Sequence, residues 1–363
     1  MPCTVESATM ISMPANSEPG AIGLDSVAAK DRGRDGDRRA ERVTLLIPLL
    51  DDWDSVGQLL AELDRVAAAA GARYGVLLVD DGSLSPCPFR QGGLAWPHLQ
   101  PVELLTLASN QGHTRAIAIG LAALAERPEL DAVVVMDGDG EDRPADVPRL
   151  LERWRQHPES IVVAERRRRS EPLAFRLFYS FYKALFRLLT GRRIDFGNFC
   201  VLPARALQQL VNRSELWSHL AGTLIAGRWP ITRLPTDRGK RYHGRSRMNL
   251  PALVQHGLGA VAVDLDRVLI RMLILLGVLI AALALTLLAI IGVKIFSSLA
   301  VPGWATTAFG LVAVLLLQSV VFAFLLLFVS LRTRGLPQVI PAQSWRSYLS
   351  REQPPVLLPG DAG

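Results

Sequence analysis

The sequence has few cysteines, and they lie far apart. Cys3, Cys87 and Cys200 are the three cysteines among 363 residues. They form no C-x-x-C pair and no even-numbered framework, which argues against a disulfide scaffold and against a zinc cluster. A reducing compartment is the environment that fits such a chain best.

Two common phosphate-binding signatures are also missing. Neither G-x-G-x-x-G nor G-x-x-x-x-G-K-[ST] occurs in the sequence, so a Rossmann dinucleotide site and a P-loop both lack support. The excess of positive charge is small, because 40 Lys and Arg stand against 34 Asp and Glu, which gives a net charge of +6. We therefore predict no nucleic-acid partner for the chain as a whole.

The first 41 residues contain too little apolar surface to form a core. They are poor in aromatic residues and rich in Ser, Pro, Gly and alternating charges. Such a composition predicts a disordered tail over residues 1–41. The continuous apolar run of a signal peptide is not found in it.

Short apolar runs alternate with helical patterns from residue 42 to residue 248. The strongest predicted strands and helices are strands at 43–50, 76–79, 102–107 and 132–136, and helices at 56–70 and 114–125. Apolar strands separated by helices predict an α/β domain with a mostly parallel sheet that is covered on both faces. Ligands bind beyond the carboxyl ends of strands in such sheets, and two acidic clusters follow predicted strands there.

Two long segments near the C-terminus carry no charged residue. Residues 272–293 and 305–331 each exceed the ~20 apolar residues that cross a bilayer, which predicts two transmembrane helices. A juxtamembrane interfacial helix is expected at 249–271. Arginines flank the outer ends of the pair, and Lys294 is the one charge between them. The positive-inside rule therefore predicts a multi-pass protein of the inner or plasma membrane, with residues 42–248 and a tail at 332–363 in the cytoplasm.

The sharpest chemical pattern is the acidic segment from Asp137 to Asp142. Alternating carboxylates in an extended segment point the same way, so Asp137 and Asp139 can share one divalent cation, and Glu141 continues the alternation. Hard oxygen ligands suit Mg²⁺ or Mn²⁺ that bridges phosphates. A solvated acidic loop that caps the next helix is the alternative interpretation.

Two further motifs at strand ends are weaker indications of a binding site. Asp80 and Asp81, followed by Gly82, could accept hydrogen bonds from a base or ribose, but a β-turn with a helix N-cap explains them equally well. In the segment from Asn110 to Arg115, Gly112 and the helix N-terminus could approach an anionic ligand. Ordinary helix capping is the favoured interpretation of that segment.

Basic residues concentrate in two windows. The first begins with the run from Arg166 to Arg169 and continues into an aromatic-rich helix at 176–187, which is either an interfacial helix or a core helix with one polar stripe. The second contains the loop from Arg241 to Arg247. Guanidinium groups, the Ser246 hydroxyl and backbone amides of this loop could wrap a phosphate. A solvated charge run and a flexible surface loop are the respective alternatives.

Together these motifs resemble those of family 2 glycosyltransferases with a GT-A fold, in particular the polyprenyl-phosphate glycosyltransferases, over about residues 42–331. The segments that carry the resemblance are Val79-Asp-Asp-Gly-Ser83, Asn110-Gln-Gly-His113, Met136-Asp-Gly-Asp-Gly-Glu-Asp142, Phe196-Gly-Asn-Phe199 and Arg241-x-x-Gly-x-Ser-Arg247. The resemblance implies that the first acidic motif binds the donor nucleotide. It also implies that the second serves the metal and diphosphate, and that the two basic segments hold a lipid phosphate.

The residue roles predicted on this basis fall into four groups. The catalytic group comprises Asp139, Asp142 and Arg241. The donor-binding group comprises Asp51, Asp80, Asp81, Asp137 and Arg115. The acceptor-phosphate group comprises Arg166, Arg168, Arg241, Ser246 and Arg247. The metal group, for Mg²⁺ or Mn²⁺, comprises Asp137, Asp139 and Glu141.

The sequence departs from the family pattern at three places. Leu49-Leu50-Asp51-Asp52 stands where the family usually has an Asn-Glu pair after an aromatic residue. Glu141 replaces the usual glutamine of the second acidic motif, and Arg247 replaces the lysine that often ends the basic loop. The identities of the sugar and of the nucleotide base therefore stay open.

The predicted activity is an inverting transfer from a nucleotide-diphosphate sugar to a polyprenyl phosphate such as undecaprenyl or dolichyl phosphate, with self-association left open. A processive polysaccharide synthase is one alternative, but the Arg153-Trp154 and Arg228-Trp229 pairs lack the preceding glutamine of a Q-x-x-R-W motif. A non-catalytic membrane adaptor that binds nucleotide or lipid phosphate is the other. Intact carboxylates at Asp137 and Asp139 argue against the adaptor.

Overall fold

The computed structural model describes most of the chain beyond the N-terminal segment. The described residues are 41–91, 96–166, 187–192, 195–244, 257–296, 303–334 and 337–358. The predicted tail lies outside them except for Glu41, as does nearly all of the predicted helix at 176–187. Arg168, Ser246 and Arg247 also lie outside, and the side chain of Arg166 is not described.

A mixed eight-stranded sheet organises the domain, with the order β7-β5-β6-β4-β1-β2-β3-β8. The strands are β1 Val43–Leu49, β2 Tyr74–Asp80, β3 Leu99–Thr106, β4 Ala132–Val135, β5 Ile161–Arg166, β6 Cys200–Pro203, β7 Ile231–Thr236 and β8 Val356–Leu357. Strands β1 to β4 are mutually parallel, as are β5 and β7. Strand β6 pairs antiparallel with β4 and β5, and β8 pairs antiparallel with β3. The predicted α/β class and mostly parallel sheet are confirmed.

Helices cover both faces of the sheet because the central strands are apolar on both sides. They are α1 Trp53–Ala69, α2 His113–Ala125, α3 Val147–Gln156, α4 Ala204–Leu210 and α5 Leu220–Ala226. One buried core contains residues of α1 and α3, and the other contains residues of α2, α4 and α5. Every residue of β1 is buried, which explains why its sequence reads as a continuous apolar run rather than an alternating one.

The carboxyl ends of the parallel strands bring four chain segments together. Strand β1 lies between β2 and β4, and β3 pairs with β2. The residues that follow these strands therefore meet at one edge of the sheet. The backbone confirms this closeness, because the Asp81 amide donates to the Leu49 carbonyl at 2.9 Å and the Met136 amide to the Leu46 carbonyl at 3.1 Å.

Two long apolar helices, α6 Leu265–Phe296 and α7 Trp304–Arg334, follow the domain. Each is long and apolar enough to cross a membrane, and almost none of its most apolar stretch is buried. A buried helix of a soluble core would hide these side chains from solvent. The chain therefore carries two candidate membrane-spanning helices, which contain the predicted segments 272–293 and 305–331.

The segment after α7, predicted as a tail, packs against the domain. It contains a short helix, α8 Pro341–Ser344, and strand β8, which adds to the free edge of β3. Trp345 is 8% exposed, and its indole nitrogen donates to Glu126 at 3.0 Å. This contact requires that the chain return to the side of the globular domain after α7, as two membrane crossings would allow.

Candidate active site

The second acidic motif forms a tight loop after β4, residues 137–142, called here the acidic loop. Asp142 is 3% exposed and accepts a hydrogen bond from the Asp137 amide at 3.0 Å, which folds the loop back on itself. The Asp139 carboxylate accepts one from the Glu141 amide at 2.9 Å. Gly140 has φ +86°, a conformation that favours glycine. The predicted role of Asp142 in orienting an acceptor stays a prediction, since the contact seen here is an internal one.

A basic segment from a distant part of the sequence lies on this loop. Residues 237–244, called here the basic arm, dock by two backbone hydrogen bonds. The Gly239 amide donates to the Glu141 carbonyl at 2.9 Å, and the Tyr242 amide to the Asp139 carbonyl at 3.0 Å. The Arg238 guanidinium adds an ion pair, because its Nε donates to the Glu141 carboxylate at 2.9 Å. The described part of the predicted loop at 241–247 is therefore ordered against the acidic loop.

Arg241 is the most engaged cation of the basic arm. Its two terminal nitrogens donate to Asp139 Oδ2 at 2.9 Å and to Asp52 Oδ2 at 2.8 Å. All three side chains are only about one-fifth exposed. The guanidinium thus joins the carboxyl edges of β1 and β4. Asp52 had no predicted role, although its position beside Asp51 directly after a strand was an available signal.

Tyr242 fixes the other side of the basic arm. Its hydroxyl donates to Glu62 on α1 at 2.5 Å, and its ring packs against the buried core beneath α1. Burial and this carboxylate raise the pKa of Tyr242 above its usual value, so the hydroxyl stays a donor. The ring also lies against Gly140, where an added Cβ would overlap it. Neither Glu62 nor Tyr242 had a role in the sequence predictions.

His113 contacts Asp137, and Asn198 contacts His113. His113 is the first residue of α2, and its Nε2 lies 3.2 Å from Asp137 Oδ1 and 3.1 Å from Asn198 Nδ2. The His113 side chain is 46% exposed, and its partial desolvation opposes a charge on the ring, but the carboxylates of Asp137, Asp139 and Asp142 outweigh this and raise the pKa of His113. The motifs 110–113 and 196–199, which lie far apart in the sequence, therefore meet beside the acidic loop.

The acidic loop has the donor chemistry for a divalent cation held by two carboxylates. Burial, with Asp137 and Glu141 nearby, raises the pKa of Asp139 despite the Glu141 amide and Arg241. Within the described residues, no group of three or more His, Cys, Asp or Glu side chains is arranged to hold a metal ion. Mg²⁺ is commonly held by one or two carboxylates together with substrate phosphates, so Asp137 and Asp139 fit that chemistry. Glu141 instead contacts Arg238, and its predicted role as a third ligand stays untested.

The first acidic motif has a different set of partners, all in the loops that follow β1, β2 and β3. Asp81 is 3% exposed and accepts from the Gln111 amide at 2.7 Å and the Gly112 amide at 2.9 Å. Asp80 accepts from the Ser83 amide at 2.9 Å. Burial raises the pKa of Asp81 although both amides lower it. Asp80 makes the predicted turn contact with Ser83, whereas α2 begins after Gly112 without a side-chain cap. The donor-binding role of this motif stays a prediction.

The remaining predicted residues lie around this centre. Asp51 Oδ1 accepts from the Leu84 and Ser85 amides at 2.8 and 3.0 Å, which ties the loops after β1 and β2 together. Arg115 is exposed in the first turn of α2, two residues after His113. The acceptor-site prediction at Arg168, Ser246 and Arg247 falls outside the described residues, and Arg166 is placed only as the last residue of β5.

Residues 44–210 match the family model described as Glycosyl transferase family 2. The match begins in β1, includes both acidic motifs and ends with α4. It confirms the resemblance that the sequence motifs predict.

Curated relatives and solved structures also match. The undecaprenyl-phosphate 4-deoxy-4-formamido-L-arabinose transferase of Klebsiella pneumoniae strain 342 is 26% identical over 51% of this chain and 54% of its own length. The dodecaprenyl-phosphate galacturonate synthase of Rhizobium johnstonii is 25% identical over 60% of this chain and 65% of its own length. The crystal structure of mannosyl-3-phosphoglycerate synthase from Rubrobacter xylanophilus superimposes with a TM-score of 0.45 at 18% identity, covering 62% of this chain and 74% of that one. The chain thus spans between about half and two thirds of the length of the curated relatives named here.

Proposed function

We propose that this chain is a membrane-anchored, inverting glycosyltransferase that moves a sugar from a nucleotide-diphosphate sugar to a polyprenyl phosphate. The observation that carries the proposal is the contact between the acidic loop and Arg241, in a domain that continues into two long apolar helices. Carboxylates that hold a metal and a cation that binds phosphate are the two groups that such a transfer needs. The names of the curated relatives, which are polyprenyl-phosphate sugar transferases, support this substrate class.

On the donor side, Asp137 and Asp139 would hold Mg²⁺ or Mn²⁺ against the diphosphate. A divalent cation there supplies the positive charge that stabilises the departing nucleoside diphosphate. His113 would hold Asp137 in place through their contact of 3.2 Å. The loops tied together by Asp51, Asp80 and Asp81 would then form the wall against which the nucleotide lies.

On the acceptor side, the nucleophile needs little activation. A phosphate monoester is already anionic at pH 7, so its oxygen can attack the anomeric carbon without first losing a proton to a strong base. The barrier then comes from bringing two anions together. Arg241 carries a permanent charge at the acidic loop and would reduce that repulsion through paired hydrogen bonds to phosphate.

The apolar helices would anchor this site at a membrane surface. Described contacts tie the domain to the start of α6: Arg192 Nε lies 3.3 Å from Asp264 Oδ2, and Arg271 Nη1 donates to the Leu188 carbonyl at 2.9 Å. The anchor would limit the search for a lipid substrate to two dimensions. By the positive-inside rule, the domain would lie on the cytoplasmic side of the inner or plasma membrane.

Incubation of membranes that contain the protein with labelled nucleotide sugars and undecaprenyl phosphate tests the proposal. The expected product is a lipid-linked monosaccharide that is absent with an Asp139→Asn variant. A labelled polymer would favour the processive synthase. Absence of any lipid-linked product across the tested sugars, at equal protein levels, would favour a non-catalytic adaptor.

A further inference from the structure

The ion pairs of Arg241 depend on where the basic arm lies. An arginine side chain is long and loses substantial rotamer entropy when it is fixed. Arg241 nevertheless bridges Asp52 and Asp139 at 2.8 and 2.9 Å. The backbone of the basic arm must therefore be held in a fixed position relative to the acidic loop.

The residue next to Arg241 provides such a hold. Tyr242 donates from its hydroxyl to Glu62 Oε2 at 2.5 Å, across 180 positions of sequence. Glu62 lies on α1, a helix of 17 residues whose opposite face is buried in the core. A rigid helix is thus linked directly to the basic arm, and a hydrogen bond to a charged acceptor is stronger than one between neutral groups.

The tyrosine ring makes a second, independent contact with the acidic loop. An added Cβ at Gly140 would overlap the ring of Tyr242, and one at Gly239 would overlap the Gly140 carbonyl oxygen. The two segments therefore approach as closely as glycine allows. The Tyr242 amide also donates to the Asp139 carbonyl at 3.0 Å, so one residue contacts α1 and the acidic loop at the same time.

We propose that Glu62 and Tyr242 are positioning residues that hold the basic arm on the acidic loop and thereby place the Arg241 guanidinium where phosphate binds. The role of phosphate in this statement rests on the proposed function, whereas the holding of the basic arm does not. Tyr242 acts on the reaction only through Arg241.

Amide hydrogen exchange of residues 237–244 in the full chain tests the holding without any substrate. Tyr242→Phe keeps the ring and removes the hydroxyl, so exchange of the Gly239 and Tyr242 amides is expected to become about tenfold faster. Glu62→Ala should do the same, while Glu62→Gln, which keeps an oxygen acceptor, should stay within about threefold of the wild type. Tyr348→Phe, a tyrosine outside the site, is the matched control and should leave this segment unchanged. Unchanged exchange in Tyr242→Phe and Glu62→Ala would overturn the proposal.

A double-mutant cycle on turnover tests whether Tyr242 acts through Arg241. At an acceptor concentration well below that for half-maximal rate, Tyr242→Phe is expected to lower turnover about tenfold when Arg241 is present and to have no further effect when Arg241→Ala is already present. A general loss of stability would lower turnover by the same factor in both backgrounds, and that result would contradict the positioning role. If the wild type yields no lipid-linked product, the proposed function has failed, and the exchange measurement alone decides whether the pair holds the basic arm.

Discussion

The two acidic motifs at the carboxyl ends of the strands differ in what their carboxylates contact. Asp81 accepts from two backbone amides, those of Gln111 and Gly112. In the second motif, Asp142 and one oxygen of Asp139 also accept from backbone amides, but the other oxygen of Asp139 pairs with a side-chain cation, Arg241, which lies 102 positions further along the chain. A backbone amide cannot leave its partner unless the loop is rebuilt, whereas a guanidinium can exchange for a metal ion by rotating away.

The carboxylates also differ in how far they are buried. Asp81 is 3% exposed, while the side chain of Asp139 is 19% exposed and that of Asp137 is 28% exposed. Asp81 thus holds loops together, as Asp142 does within the second motif, whereas Asp137 and Asp139 are exposed enough to exchange partners. The two motifs look alike in the sequence, but Asp81 and Asp139 have different contacts. Substitutions at these two positions should therefore have different effects.

The largest expected effect is the loss of turnover in Asp139→Asn. This change removes a charge that would hold the cation at the diphosphate, and removal of one such electrostatic contact costs about 10²–10³ in rate. We expect turnover to fall at least about a hundredfold while the thermal unfolding temperature stays within a few degrees. Asp54→Asn, at an exposed position on α1, is the matched control. Unchanged turnover at saturating Mg²⁺ or Mn²⁺ would remove Asp139 from the metal site.

The next effect is on the acceptor. Arg241→Ala should raise the acceptor concentration needed for half-maximal rate by about ten- to a hundredfold, since a charge-assisted pair contributes about 1.5–3 kcal/mol. Arg241→Lys should restore only part of this loss, because the charge remains but the paired geometry does not. Nucleotide-sugar titration without lipid should change little. Weakened donor binding with an unchanged acceptor requirement would instead assign Arg241 to the diphosphate.

A smaller effect, on stability rather than turnover, is expected for the first motif. In Asp81→Asn, the side chain keeps one acceptor oxygen, and its NH2 group would face the other backbone amide, which then has no acceptor. An unsatisfied buried donor lowers the free energy of unfolding by about 1–3 kcal/mol. Thermal unfolding should therefore shift down by roughly 2–4 °C per kcal/mol in a domain of this size. Full retention of stability together with loss of nucleotide binding would show that Asp81 acts on the donor directly.

The smallest effect is expected for Glu141→Gln. Glu141 pairs with Arg238, whose side chain is 38% exposed, and such pairs contribute about 0–1 kcal/mol. We expect turnover to fall by less than about tenfold under conditions in which Asp139→Asn is nearly inactive. An equal loss in the two variants would establish Glu141 as the third metal ligand that the alternation in the sequence predicts.

Local patterns in the sequence predicted much of the fold. Continuous apolar runs at 43–50 and 132–136 identified buried strands, because strands covered on both faces show no alternation. The acidic motifs could be placed at one edge of the sheet for the same topological reason. The family match over residues 44–210 confirms the resemblance drawn from these motifs.

Contacts between distant residues could not be predicted in this way. Asp52 and Arg241 are 189 positions apart, and Glu62 and Tyr242 are 180 apart. No local periodicity encodes such pairings, which depend on the final packing of the chain. Strand β8 has two residues, too few for an alternating pattern, so the segment after α7 was predicted to be a tail.

Binding of Mn²⁺, followed by the loss of the free-ion signal in electron paramagnetic resonance, tests the contrast between the two motifs most directly. We expect saturable binding in the wild type, similar binding in Asp81→Asn at a temperature where that variant is folded, and binding at least about tenfold weaker in Asp139→Asn. Equal affinity in Asp139→Asn and the wild type would show that Asp139 does not hold the metal, and complete loss of binding in the folded Asp81→Asn protein would show that Asp81 does.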